Sequence, residues 1–487
     1  MADTPQPAKL TMLPEWTVIG FSGHRNLATP QVAANAISQA LDRLAANRRP
    51  LVSVSSAASG ADTLFVEAVA RQNLPYLLVL PFSQSRFQQD FDSADWQRIL
   101  PLIEQAARVD ELAGGGSSSE AYMETGVLTV DRADVMVVVW DGKPAAGLGG
   151  TGDVVNYTRA LGKPLLIVDP HDGHITEERM DRLPEIRTPM EEFEPSRATV
   201  EKHFQELDQE AEIHAPGTRH LTLRIILFQL LAAAIGFVAL AFEIHGAWGH
   251  VLTLGELILL GWAAGLSWQH RKKHHEWMKN RIAAEICRSF LATWQMRRID
   301  FFPHVSIVGV GRLCRNLRLI RILDKTPPLS LAAARDQYLR ERVQNQAEYF
   351  SRHSRRARMI HKWLSRCALF CTTTATVLSL VAFVFALLRD VDSERAISGL
   401  AETIPKYLSL LLPLVATGIF TVLITHDYSR RAVRYREMAL MLEEAEARLQ
   451  MAPTWNSLAR IALETEEKLL QEIVEWHSFR QFVGEPR

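Results

Sequence analysis

The stretch Cys367–Leu388, CALFCTTTATVLSLVAFVFALL, runs for 22 residues without a charged side chain. About 20 mostly apolar residues cross the hydrocarbon core of a bilayer as an α-helix, so this stretch reads as a membrane span. Three further runs obey the same rule: Ile225–Phe242 (18 residues), Val251–Trp268 (18 residues, with Glu256 near its start) and Tyr407–Thr425 (19 residues). Their spacing groups them as two hairpins. The flanks separate this reading from one of buried core helices. Seventeen Lys and Arg lie on the flanks outside the hairpins, among them Arg224, Lys279, Arg355, Lys362, Arg366 and Arg430. The two hairpin loops hold three, Arg389, Arg395 and Lys406. Positive charge is retained on the cytoplasmic side, so both hairpins are expected to run in-out-in through the inner (cytoplasmic) membrane, with both termini in the cytoplasm. Pro413 removes a backbone donor from the fourth run and predicts a kink there. Glu256 is either an ion-pathway group or a carboxylate at the outer interface.

Whole-chain averages conceal these spans. A length of 487 residues, 47% hydrophobic residues, a net charge of −1 and a mean hydropathy of −0.02 describe an ordinary globular chain of about three domains. They exclude disordered and collagen-like classes, and the balanced charge argues against direct nucleic-acid binding. Four cysteines are too few for a disulfide framework and none has a zinc-ligand spacing, so no metal site is expected. The first sixteen residues lack the basic and apolar regions of a secretory signal.

Residues 15–170 alternate apolar runs with helical stretches. The strands expected are Thr17–Gly20, Leu51–Val54, Tyr76–Leu80, Val135–Trp140 and Pro164–Val168. This is the pattern of an α/β doubly wound parallel sheet, Rossmann-like, covered on both faces. An all-α membrane region with cytoplasmic helices follows it. Residues 175–213 carry 12 acidic and five basic side chains and read as a connector. The expected organisation is a sensing domain over 1–174, an acidic connector over 175–216, a first hairpin with helices over 217–330, and a second over 331–487. Helices are expected at about 270–300, 330–366, 428–450 and 455–482. The order hairpin, basic turn, charged helix occurs twice, which predicts an internal duplication. Trp277, Trp294, Trp455 and Trp476 read as packing anchors of these helices.

Three loops leave the carboxyl ends of expected strands, where open parallel sheets bind ligands. GFSGHR, Gly20–Arg25, has small residues that let backbone approach a phosphate, with His24 and Arg25 as donors; an ordinary strand-to-helix turn is the other reading. In SSAASGAD, Ser55–Asp62, Gly60 suits a tight turn, and Asp62 either caps a helix beginning near Thr63 or accepts a ribose hydroxyl. WDGKPAAGLGGTGDVVNYTRA, Trp140–Ala160, puts Gly147, Gly149, Gly150, Thr151 and Gly152 before a helix whose first amides can hold an anion. No Gly-Lys-Ser/Thr follows, so this is not a P-loop ATPase motif.

With LPFSQSRFQQDF at 80–91, AYMETG at 121–126 and DVMVVVWDG before the glycines, residues 15–170 resemble the SLOG superfamily. That resemblance implies a doubly wound sheet binding a nucleotide or nucleotide-derived ligand. It assigns contacts to Gly23, His24, Arg25, Ser59, Gly60, Asp62, Gly149, Gly150, Thr151 and Asp153, with Arg86 and Tyr122 as further pocket residues. The hydrolases of that superfamily carry a GGxGTxxE loop; aligned on Gly149–Asn156, the catalytic Glu falls on Asn156. An amide is no general base, so a binding role is expected, with no catalytic residue and no obligatory cofactor. WMKNRIAAEICRSF (277–290) and TWNSLARIALETEEKLLQEIVEW (454–476) resemble SLATT modules, two-span membrane effectors of nucleotide-signalled antiviral systems. The expected function is a ligand-gated membrane effector that binds a nucleotide-like signal, contacts membrane lipid and works as a homo-oligomer. The alternatives are a membrane-tethered nucleotide- or N-glycoside-processing enzyme, using His24, Asp62, Glu124 or Asp153, and a channel or transporter.

Overall fold

Continuous apolar runs such as VMVVV can only be strands if both faces of a sheet are covered, and they form its centre. In the computed structural model the described residues are 13–46, 50–113, 116–145, 147–183, 195–241, 244, 246–296, 310–391 and 399–484. The amino-terminal segment read for a signal, connector residues 184–194, helix-end residues 297–300 and hairpin-loop Arg395 lie wholly or partly outside them.

The first unit runs β1 (Thr17–Gly23), α1 (Pro30–Ala45), β2 (Leu51–Ser55), α2 (Ala61–Arg71), β3 (Tyr76–Leu80), α3 (Gln84–Phe87), α4 (Ser93–Gln105) and β4 (Arg108–Glu111). It continues through α5 (Ser118–Arg132), β5 (Val135–Val139), α6 (Thr151–Ala160), β6 (Leu165–Val168) and β7 (Ile175–Glu178). The sheet order is β4-β3-β2-β1-β5-β6-β7, parallel throughout except for β7, which pairs antiparallel with β6. Ile37, Leu41, Phe65 and Phe87 fill one face, and Val130, Met136, Val154 and Val155 the other.

Two strands escape the apolar-run rule. RVDE of β4 and ITEE of β7 sit at the sheet edges with mostly half-exposed or exposed side chains, so they carry no hydrophobic signature. β7 also carries the sheet past residue 174. β1 runs three residues beyond Gly20, because it pairs with β5 as far as Gly23 opposite Val139.

A segment distant in sequence completes this unit. Residues 315–326, which include the second half of α9 (Val310–Leu323), belong to it. Arg315 donates to Asp134, just before β5, and Arg318 lies 3.9 Å from Asp110 of β4. Arg132, the last residue of α5, donates to the same Asp110 at 2.7 Å. Burial raises the Asp110 pKa, but the charges of Arg108 and Arg132 and their hydrogen bonds outweigh it and hold the carboxyl below its ordinary range.

The second unit is helical: α7 (Arg197–Ala241), α8 (Ala247–Ala292), α10 (Leu331–Tyr338), a π-helical turn (Leu339–Gln344), α11 (Asn345–Val391), α12 (Gly399–His426), α13 (Tyr428–Gln450) and α14 (Trp455–Gly484). Among the described residues, four of its helical stretches are long and apolar enough to cross a membrane: Leu221–Leu240, Ala247–Gln269, one within Leu331–Phe385 and one within Tyr407–Gln450. Leu240, Trp262, Phe370, Leu380 and Ile424 on them are 62–80% exposed, the reverse of a water-soluble helix. From Arg197 onward the acidic stretch before the first span is helical, and α7 continues from it into the apolar segment. Trp294 is fully buried and Trp277 Nε1 donates to the Ala211 carbonyl at 2.9 Å, so both anchor helices.

Charge is buried where polar stretches of these helices meet. Arg342, in the π-helical turn, is 2% exposed; its Nη2 lies 2.7 Å from Glu466 Oε2 and its Nη1 2.9 Å from Glu285 Oε1. Ser289 Oγ and Tyr338 Oη donate to Glu466 at 2.7 and 2.9 Å. Burial raises the Glu285 pKa, yet the charges of Arg342, Arg288 and Arg281 pull it down to about 2.

Candidate functional site

Strand order reverses between β1 and β5, and at such a switch point the loops leaving the carboxyl ends of the two strands diverge and open a crevice. Here they border a cleft of about 770 Å³, closed on its remaining sides by the β2 loop and by α5.

Two glycines set its walls. Gly60 has φ +92°, and a Cβ there would stand 2.2 Å from the Arg25 carbonyl oxygen. This lets the β1 and β2 loops touch, with Ala61 N donating to the His24 carbonyl at 3.0 Å. Gly60→Ala is expected to lower the stability of this unit by at least about 1–2 kcal/mol, the cost of left-handed backbone for an L-residue, read as a fall in its thermal midpoint. Gly149 has φ +85°, and its Cβ would stand 2.8 Å from the Ser119 carbonyl oxygen. Its amide donates to Asp153 Oδ2 at 3.1 Å, so Asp153 braces the glycine loop. Helix α6 then begins at Thr151 behind Gly150, with no side chain capping it, and directs its first amides and positive end to the cleft.

The electrostatics divide the cleft. Near α5 the Arg25 guanidinium lies 4.2 Å over the Tyr122 ring. Tyr122 Oη donates to Asp90 Oδ2 at 2.6 Å, and Arg86 donates to Asp90 Oδ1 at 2.8 Å from behind. Burial raises the Asp90 pKa, but these two bonds and the Arg86 and Arg25 charges hold it below the usual carboxylate range. On the β5 side His24 Nε2 lies 3.2 Å from both Asp141 Oδ1 and the Asp141 amide; the tautomer decides which it meets as donor or acceptor. Burial acts upward on Asp141 as well, but bonds from Lys143 and the charge of His24 bring it down to about 2.

Asp62, in the first turn of α2, is only 5% exposed. Burial pushes its carboxyl up to about 8, against the hydrogen bond from Ser55 Oγ and the Arg25 charge, which pull it down. The cleft therefore holds a protonated carboxyl at neutral pH. The unfolded chain ionises this group near 3.8 and the folded protein near 8, so folded protein binds the extra proton between those values. The contribution of Asp62 to stability is then full below about pH 4, declines as pH rises and is lost above about 8. Asp62→Asn should gain stability relative to the parent as pH rises from 4 to 8 and level off above; parallel melting curves across that range would contradict the assignment.

Seven of the ten residues expected at the site line the cleft: Gly23, His24, Arg25, Asp62, Gly149, Gly150 and Thr151. The other three stand behind it. Gly60 and Asp153 shape loops, and Ser59 Oγ donates to Asp95 Oδ2 at 3.4 Å. Tyr122 lines the cleft, whereas Arg86 supports Asp90. Asn156 and Glu124 are exposed and outside the lining, so the position aligned with the hydrolases' catalytic Glu does not face the ligand space. The sequence reading passed over Asp90, Ser118, Ser119, Asp141 and Lys143, which also line it. Asp141 and Lys143 were findable, because WDGK directly follows β5 and places them at the strand's carboxyl end. Among the described residues no group of three His, Cys, Asp or Glu is placed to hold a metal ion.

Neither a family model nor a curated protein matches the chain. Fold and site define its class: a Rossmann-like α/β domain with a polar crevice at its switch point, lined by Arg25, His24 and Lys143 together with Asp62, Asp90 and Asp141. The same chain carries four helices long and apolar enough to span a membrane, the make-up of a multi-pass membrane protein.

Proposed function

We propose that the chain is a ligand-gated membrane effector. The crevice binds a nucleotide-derived signal, and binding opens or disrupts the membrane through the two hairpins. The observation that carries this reading is the joining, in one polypeptide, of a cleft lined by Arg25, His24, Lys143, the amino end of α6 and three aspartates to four apolar helices. The phosphates lie against the Gly149–Thr151 loop and α6, where backbone amides and the helix dipole favour negative charge. Arg25, held on the Tyr122 ring, adds a fixed guanidinium.

Helix α5 supports a route out of the cleft. Its Ser118, Ser119 and Tyr122 face the ligand space, and its end at Arg132 shares Asp110 with Arg318 of the segment that interrupts the helical half. A ligand that fits one arrangement of α5 better than another shifts the arrangement of that segment in proportion to its differential affinity. The likeness to SLOG and SLATT modules supports a place in bacterial antiviral defence, with the chain in the cytoplasmic membrane and both termini inside. Four spans enclose too little space for a wide pore, so the working unit is a homo-oligomer.

A second reading, a membrane-tethered enzyme acting on a nucleotide or N-glycoside, is favoured by one feature: a buried carboxyl, Asp62, raised to about 8, lines the same cleft as the His24–Asp141 pair. The test of both is to purify the full chain from cells under stress or phage challenge and identify by mass any small molecule released on heating. A phosphate-bearing nucleotide recovered intact supports the effector; one that is consumed by fresh protein supports the enzyme. Recovery of no molecule that rebinds would count against both.

A further inference from the structure

The first hairpin has a feature that charge counting leaves unexplained. Helix α8 begins at Ala247, four residues before the apolar run read from sequence, and the spanning stretch extends over Ala247–Gln269. Trp248 and Trp268 stand near its two ends, 74% and 72% exposed. At 1.5 Å per residue they lie about 30 Å apart, the thickness of the hydrocarbon core. Exposed tryptophans collect at both membrane interfaces. On this scale Glu256 lies about 12 Å inside from the Trp248 end and close to the midplane, so it is not an interfacial carboxylate.

Its direction matters as much as its depth. Leu254, Leu257 and Ile258 around it are 51–61% exposed and offer an apolar face to lipid. Glu256 turns toward α7, where Gly236 faces it: a Cβ on Gly236 would come within 3.1 Å of a Glu256 carboxylate oxygen. Phe228 of α7 and Trp262 of α8 meet edge to face at 6.0 Å farther along the same pair of helices, a second side-chain contact between them. A carboxylate at the bilayer centre is costly, and such groups face a bundle interior or a water-filled path. Glycine at the opposing position leaves room that any other residue would fill.

We infer that Glu256 is the cation-selecting group of the permeation path, binding a small monovalent inorganic cation at mid-membrane. This rests on the effector reading given above. One Glu256 per chain becomes, in a homo-oligomer, a ring of carboxylates, and such rings admit cations and reject anions. The first hairpin is then the conducting one. The second has no acidic residue between Cys367 and Leu388 or between Tyr407 and Thr425 and supplies packing surface.

Two measurements on the full chain in liposomes decide this, using the Glu256→Gln and Gly236→Val variants. The first is the ratio of potassium to chloride flux after addition of the molecule released from the purified chain. The parent is expected to prefer potassium at least about tenfold, Glu256→Gln to lose that preference while still conducting, and Gly236→Val to lower the flux by crowding the carboxylate. The second needs no flux: labelling of Glu256 by a hydrophobic carbodiimide, followed by mass mapping, which potassium or sodium should suppress and an equal concentration of choline should not. Unchanged selectivity in Glu256→Gln overturns the inference while leaving the effector reading standing. Absence of flux in the parent after the molecule released from the purified chain is added overturns the effector reading, and the labelling still decides the cation site: no labelling, or labelling indifferent to potassium and sodium, refutes it.

Discussion

Arg25→Ala is expected to weaken ligand binding by about 10- to 150-fold, the 1.5–3 kcal/mol of a hydrogen bond to a charged group. The guanidinium is fixed over Tyr122 at 4.2 Å, so the free protein has already ordered it and little entropy is lost when an anion arrives. Its loss has a second consequence. Arg25 is one of two influences that pull Asp62 down, so the Asp62 carboxyl should titrate at higher pH in the variant. Gly150→Glu should act more strongly, since it adds a carboxylate at the start of α6 and its Cβ would stand 2.8 Å from that of Ala145. Calorimetric titration with the molecule recovered from cells measures both; wild-type affinity in either variant would place the ligand elsewhere.

The larger effect on stability belongs to Arg342. Replacing it with Met leaves Glu285 and Glu466 buried without their shared cation, and breaking a buried ion pair by removing one partner costs about 3–5 kcal/mol. The helical unit should melt far below the parent in detergent. Two controls test the cause. Arg342→Lys should recover only part of the loss, because an ammonium cannot span both carboxylates as the planar guanidinium does. The triple replacement of Arg342, Glu285 and Glu466 by Met removes the stranded charges and should restore much of the loss. If the triple variant melts no higher than Arg342→Met, the loss arises from packing and not from charge.

The sequence disclosed the parts of this fold that rest on apolar periodicity. The five buried strands and the four helical stretches long and apolar enough to span a membrane are long runs of one character, and the described residues contain them nearly where the runs lie. What it concealed is polar. β4 and β7 are charged edge strands, and residues 315–326 join the α/β unit through Arg315 and Arg318, whose partners Asp134 and Asp110 lie about 200 residues earlier. Such pairs leave no periodic trace. The same division holds at the site. Glycine-rich loops after strands announced Gly23, Gly149 and Gly150, whereas Asp90 and Ser118 enter the cleft from helical segments and become visible only when the chain is folded. Glu256 shows the converse: its position was plain, but its depth followed only from where α8 begins.

The central claim is that occupancy of the cleft changes membrane permeability. The direct measurement is release of a small dye from liposomes holding the full chain, on addition of the molecule extracted from it. Release in the parent, with none in Gly150→Glu at the same protein density, is the predicted result. Release that is identical in the two proteins, or that begins before any ligand is added and does not change with it, would contradict the account.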